Sequence, residues 1–355
     1  MTYRSRLLGA AGFIALTVLG TNTAYAAGTA AGSTIINNVS VAFQVGGINQ
    51  TGTTASDTLT VDRRITVTVA EVGNATTVVT PAQTSAVTAF TVTNTSNATL
   101  DFLLGAVQPV GGAGPHANTD TIDVTNVRIF RDSTTSGTVG SYDAGDTLVT
   151  FLDEIAADAT ITVFVVADVP TAQPNGAVAV VTLTATGREG LGIGSQGAAL
   201  VQTVGANTAS MDTVFGDGAG ATDALRDAAF SARDDYTVSA ATLSATKTSR
   251  IISDPVNLLV NPKMIPGATI EYCIAVANAA GTSATATSVT ITDPVPANLT
   301  YDVTFGVKTN GTVTGSTCNA DTTGTGTQAS GTVSGTIASV AAGETKTLLF
   351  RATIN

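Results

Sequence analysis

A chain of 355 residues, 43% of them apolar and 12% charged, has enough apolar surface to bury a core. It lacks the sustained Glu/Lys/Leu patterning of a coiled coil. Its 15 basic residues against 26 acidic ones give a formal charge of −11 with no basic patch, which excludes a nucleic-acid binder. At roughly 100–200 residues per domain, the length predicts two to three domains.

Arg4 and Arg6 precede the apolar run from Leu7 to Leu19, and Ala24-Tyr25-Ala26 follows. A positive start, a short apolar stretch and a small-x-small site make up a secretion signal, so residues 1–26 are read as a signal peptide. The run is too short for a comfortable span of about 20 residues, and no later stretch could span as a helix. The mature chain is expected to be exported to the periplasm, cell surface or medium, with no transmembrane helix.

Next in the chain, Ile35, Asn37, Val39, Val41, Phe43 and Val45 alternate with their neighbours and run into Gly46-Gly47. This predicts an N-terminal β-hairpin over residues 27–61. It is too small to fold alone and is expected to pack on its neighbour or on another chain. The same period of two recurs in Ile65–Val69, Ala86–Thr93, Ile161–Val165, Val178–Thr186 and Leu348–Ile354. Threonine fills many outward positions, which suits a half-exposed pleated surface. Strands punctuated by Gly, Asn, Asp and Pro predict an all-β fold of tandem immunoglobulin-like sandwiches. The modules are placed at residues 62–187 and 247–355, with a Gly/Asp-rich connector over 188–246. Within that connector, Thr222–Arg233 carries the one helical pattern, with Leu225, Ala228 and Ala229 on one face.

An internal repeat ties the two modules together. Pro81 precedes the strand that leads to Asn94, and Pro266 precedes the strand that leads to Asn278, each followed by a small-residue turn.

Cys273 and Cys318, the only cysteines, are read as a disulfide, since their number is even and the chain is exported. Ile270, Tyr272, Ile274 and Val276 share the core-facing parity, so Cys273 points to the other face with Glu271. The bridge is then expected to pin the loop around Cys318 onto the outside of a sheet.

Candidate chemical sites are few. His116, the single histidine, lies in a loop with no nucleophile at a recognisable spacing and reads as a solvated residue, not a catalyst. Gly190–Gly194 has no following Lys-Ser/Thr and reads as a turn, not a phosphate cradle. Asp132, Asp143, Asp146 and Asp153 crowd a Gly-containing loop and are candidate Ca²⁺ ligands, because glycine-spaced carboxylates can supply a hard cation with oxygens. Asp also tolerates turn geometry by itself, and both readings stay open. Asp212, Asp217, Asp223, Asp227, Asp234 and Asp235 form a second acidic group in the connector, open to the same two readings.

The last 110 or so residues resemble the bacterial conserved repeat domain, the family of unknown function numbered eleven, found in surface and cell-envelope proteins. Lys247, Pro266-Gly267, Tyr272 through Asn278, and Val289 through Pro296 carry the resemblance, with Leu299-Thr300-Tyr301, Ala341 through Thr345, and Leu348-Leu349-Phe350. The first module lacks the Asp-Pro-x-Pro turn and looks like a diverged relative. The resemblance implies an immunoglobulin-like sandwich with a structural or surface role, and it brings no catalytic residues.

The function expected is therefore a non-catalytic structural or adhesive protein of the envelope, with no cofactor beyond candidate Ca²⁺. Its partner would be an envelope or surface protein, a polysaccharide, or a second copy of itself. Between the signal and Lys247 there is no lysine, a residue that edge strands often use against pairing. The N-terminal hairpin could then donate a strand to a neighbour and build a filament. Two other readings are an outer-membrane β-barrel and a secreted glycan-binding protein. The first lacks an aromatic girdle; the second lacks tryptophan.

Overall fold

The computed structural model describes residues 28–281, 283–315, 317–319 and 324–355. The expected signal peptide lies outside them. Every regular element among the described residues is a strand, as period-two patterning demands.

The hairpin forms as a two-stranded arm, β1 (Thr34–Val41) against β2 (Thr53–Thr60). Gly46 and Gly47, at its tip, both have positive φ, which glycine adopts without steric cost. Only the base of the arm is fixed. Gly32 N–H donates to Val61 O, Ala31 N–H to Asn97 O, and the Asn97 side-chain amide to Thr29 O and Asp62 O. Beyond the base both faces are exposed, so within one chain the arm does not lie against its neighbouring module.

The first sandwich contains β3 (Val67–Glu71), β4 (Thr77–Val79), β5 (Ala86–Asn94), β6 (Leu100–Val107) and β7 (Thr125–Arg131). It continues through β8 (Thr147–Leu148), β9 (Phe151–Ile155), β10 (Thr160–Asp168), β11 (Val178–Gly190) and β12 (Ala229–Val238). One sheet runs in the order β8-β7-β10-β5-β3. The other runs β9-β6-β11-β12-β4, with Gln196–Ala199 added on β11. Along β5 the side chains alternate buried and half-buried, so Ala86, Phe90 and Val92 enter the core. Tyr236 from β12 is fully buried there, and its hydroxyl donates to Val165 O at 2.8 Å, tying the two sheets.

Two expectations are corrected here. Residues 188–246 are not a free connector, because β12 pairs with β11 over nine residues inside the sheet. No helix forms at Thr222–Arg233. Arg226 and Ala228 hold φ of 63° each, which interrupts a right-handed helix, and Ala229 already begins β12.

The second sandwich contains β13 (Leu243–Ser253), β14 (Thr269–Asn278), β15 (Ala286–Pro294), β16 (Lys308–Thr314) and β17 (Thr317–Asn319). It continues with β18 (Thr327–Ala329), β19 (Thr332–Val340) and β20 (Thr345–Ile354). Its larger sheet runs β13-β14-β20-β16-β17, with Leu299–Tyr301 and Gly324–Thr325 added at its margins. Its smaller sheet is β15-β19-β18.

The repeat is structural as well as sequential. Asn94 ends β5 and Asn278 ends β14, and both are buried. The Asn94 amide donates to Ala98 O at 2.9 Å and Ile155 O at 2.8 Å. The Asn278 amide donates to Ala284 O at 2.7 Å and Val340 O at 3.0 Å. Each asparagine thus ties its own turn to the end of a strand in the opposite sheet. Ile155-Ala156-Ala157-Asp158-Ala159 and Val340-Ala341-Ala342-Gly343-Glu344 answer each other, with Asp158 (φ 62°) and Gly343 (φ 74°) in the same left-handed position. The backbone N–H of each of these two residues donates to the carbonyl of its asparagine. Strands β3, β5, β10 and β7 therefore correspond to β13, β14, β20 and β16, and the pair β6–β9 to β15–β19.

Candidate functional site

Four features carry polar or reactive groups. The first is the disulfide. Cys273 and Cys318 are bonded, with Cα atoms 6.2 Å apart. Cys273 is paired with Leu349 across β14 and β20, on the face away from the Ile274, Val276 and Phe350 core. The bridge so holds the β16–β17 hairpin against the outside of the sheet. Glu271 shares this face yet is 4% exposed, because Arg250 and Arg351 clamp its two oxygens at 2.6 and 2.8 Å. Reducing the disulfide opens a loop with a sequence separation of 45, a loss of about 4 kcal/mol on the chain-entropy model. Calorimetry with and without reductant is expected to show the second sandwich melting earlier and the first unmoved.

The second feature is the acidic loop. Asp132 accepts from Gly140 N–H, and Asp143 from Thr138 and Gly145 N–H. Asp146 accepts from Ser133 and Asp143 N–H. The Thr138 and Gly145 amides hold the Asp143 carboxyl below its ordinary range. These carboxylates are turned onto the loop's own backbone and are not gathered around a common point. Asp153 lines one cleft with Asp132, and its Oδ2 accepts from Gly194 N–H, while Glu154 Oε1 accepts from Gly192 N–H. The Gly190–Gly194 turn thus gives amides to carboxylates.

Among the described residues, two groups of three ligating side chains have donor atoms within 4.8 Å of one another. They are Glu71, His116 and Asp234, and Asp101, Asp153 and Glu154. In the latter group, Asp101 already accepts from the backbone N–H of Glu154 and Gly197.

The third feature overturns the reading of His116 as a solvated residue. Its Nδ1 is 2.7 Å from Asp235 Oδ2 and its Nε2 is 3.1 Å from Glu71 Oε2. The ring bridges β3 of one sheet and β12 of the other. Asp235 is further held by the Thr76 hydroxyl. Burial pushes the Asp234 carboxyl up to about 7, reinforced by the charges of Glu71 and Asp235. Burial alone would lower His116, but the hydrogen bond to Asp235 and the charges of Glu71, Asp235 and Asp234 outweigh it and raise the imidazole above its ordinary value. Three carboxylates gathered around one imidazole favour the protonated forms of His116 and Asp234. The remaining acids of the second group act as local caps. Asp217 accepts from Asp227 and Ala228 N–H, Asp212 from Thr208 N–H, Asp223 from Gly220 N–H, and Asp227 from Ala224 and Ala229 N–H.

The fourth feature was not visible in the sequence. Between the edges of β13 and β15 a cleft of about 410 Å³ opens onto the second core. Ala245, Ile274, Val276, Val289 and Ile291 line it, and Lys247 and Asp293 form an ion pair across it at 2.6 Å.

No protein-family model matches the chain, and no curated protein does either. Among solved structures, it is similar to the C-terminal domain of the AgI/II polypeptide BspA of Streptococcus agalactiae, at 6% identity and a TM-score of 0.35, covering 81% of this chain and 91% of that one. It is also similar to the CupB6 tip adhesin of Pseudomonas aeruginosa, at 10% identity and a TM-score of 0.23, covering 82% and 86%. Likenesses this low assign neither a family nor a ligand.

Proposed function

We propose that the chain is an exported, non-catalytic structural and adhesive protein of the bacterial envelope. The observation that carries this reading is the tandem of two sandwiches built on one plan, the second bridged by a disulfide. Such bonds persist in oxidising compartments outside the cytosol. The single histidine is committed to carboxylates on two sheets, an arrangement that braces a fold. Among the described residues, no helix is long and apolar enough to cross a membrane. The sheets are stacked pairs with free edges, unlike the closed wall of a barrel.

Immunogold labelling of intact cells with antibody to the second sandwich tests this. Label on the cell exterior, from protein released by urea washing, is the expected result. A cytosolic product with an unprocessed leader would overturn it.

A further inference from the structure

We propose that the cleft between β13 and β15 is an acceptor for the β1–β2 arm of a second copy of this chain, which takes the place that β11 and β12 hold in the first sandwich. The proposal deepens the architectural reading above. It starts from a difference between two otherwise matching halves. In the first sandwich, β6 pairs with β9 on one side and with β11 over eight residues on the other. Its counterpart β15 pairs with β19 on one side, and among the described residues no strand pairs with its other edge. The consequence shows in burial. Half of β6 is buried and only two of its eight residues are exposed, whereas five of the nine residues of β15 are exposed. Among the described residues, the first core gathers 27 buried apolar residues and the second nine. The apolar floor of the cleft lies where β11 and β12 would pack.

The arm has the shape of what is missing. In the first sandwich the space beside β6 is filled by two adjacent antiparallel strands, β11 and β12. The arm is likewise two antiparallel strands, of eight residues each, against nine in β15. Its register puts Ile35 opposite Leu59, Val39 opposite Ala55 and Val41 opposite Thr53 on one face, where the pair Asn37–Asp57 interrupts an otherwise mainly apolar surface. The other face carries Asn38, Ser40, Thr54, Ser56 and Thr58, with Ile36 as its one large apolar residue. Ile35, Val39, Val41 and Leu59 are each about half exposed, a large apolar surface for a two-stranded ribbon that is marginal by itself in water. In one chain, arm and cleft both stand open. Setting the arm of one copy into the cleft of the next pairs the β15 edge, buries Ile35, Val39, Val41 and Leu59, and covers the exposed Ala245 and half-buried Val289 above the floor of Ile274, Val276 and Ile291. Because donor and acceptor are different surfaces, each copy can do both, and the contact propagates head to tail.

Two variants decide the matter. Val39→Asp places a charge on the apolar face of the arm, and Val289→Asp places one in the cleft. Circular dichroism first establishes that each keeps its strand content. In sedimentation velocity, the unmodified processed protein is expected to form oligomers that grow with concentration. Each variant alone is expected to associate about thirtyfold more weakly or worse, the loss of a central contact. Mixing the two restores pairing between the intact cleft of one and the intact arm of the other, and growth stops at dimers. A synthetic peptide of residues 33–61 is expected to bind the Val39→Asp protein, which keeps the test open if Val289→Asp does not fold. Monomers at every concentration, or oligomers indifferent to both substitutions, would overturn the proposal. Either outcome leaves the surface labelling untouched, so the two readings fail separately.

Discussion

Raising the pH from about 5.5 to about 8.5 is expected to destabilise the first sandwich by about 2 kcal/mol or more. The sign follows from the cluster at Glu71, His116, Asp234 and Asp235. Burial lifts the Asp234 carboxyl to about 7 in the folded protein, against roughly 3.9 in an unfolded chain. Its proton is held more tightly when folded, so the stabilisation is complete below about pH 4 and lost as the pH rises towards 7. His116, also raised, adds a contribution present below its unfolded value and lost as the pH passes its folded one. Both groups act in the same direction. Asp234→Asn removes the need for that proton and is expected to flatten the profile by raising stability at high pH. His116→Ala flattens it from the other side, by lowering stability at low pH. Thermal melts across this range check both. A profile that neither substitution changes would show that the cluster does not govern the pH response.

The second large effect concerns the paired asparagines. Replacing Asn94 with alanine removes both amide donors and strands the carbonyls of Ala98 and Ile155. Asn278→Ala does the same to those of Ala284 and Val340. An unsatisfied buried polar group costs about 1–3 kcal/mol, so each substitution is expected to cost about 2–5 kcal/mol. The losses should be local, the first lowering the urea midpoint of one sandwich and the second that of the other. Aspartate is expected to be as damaging as alanine, because it presents acceptors to acceptors. A cost below 1 kcal/mol at either site would mean that water replaces the amide.

What could be read from the sequence was what local period and spacing encode. Alternation through Ala86–Thr93 placed a strand, and the parity of Ile270 through Val276 placed Cys273 outside the core, where the disulfide lies. The Pro-to-Asn spacing marks the repeat, whereas the match between the Ala-Ala turns of residues 156–157 and 341–342 is too short to stand out in an alanine-rich chain. Burial by distant partners was not legible. Glu271 shares the outward parity of Cys273 yet is sealed by Arg250 and Arg351. His116 meets partners 45 and 119 residues away. β12 is hidden for a related reason: Arg233-Asp234-Asp235 reads as solvated surface, yet those aspartates are buried within a sheet. The open edge of β15 was hidden too, since its alternation looks like that of any paired strand.

Hydrogen exchange on intact, unassembled protein tests most directly the claim that one sandwich is closed beside β6 and the other open beside β15. The account predicts slow exchange for amides along both edges of β6, and fast exchange at alternate amides of β15 that slows when the arm peptide is added. Equal protection of β6 and β15 in the monomer, with no response to the peptide, would contradict it.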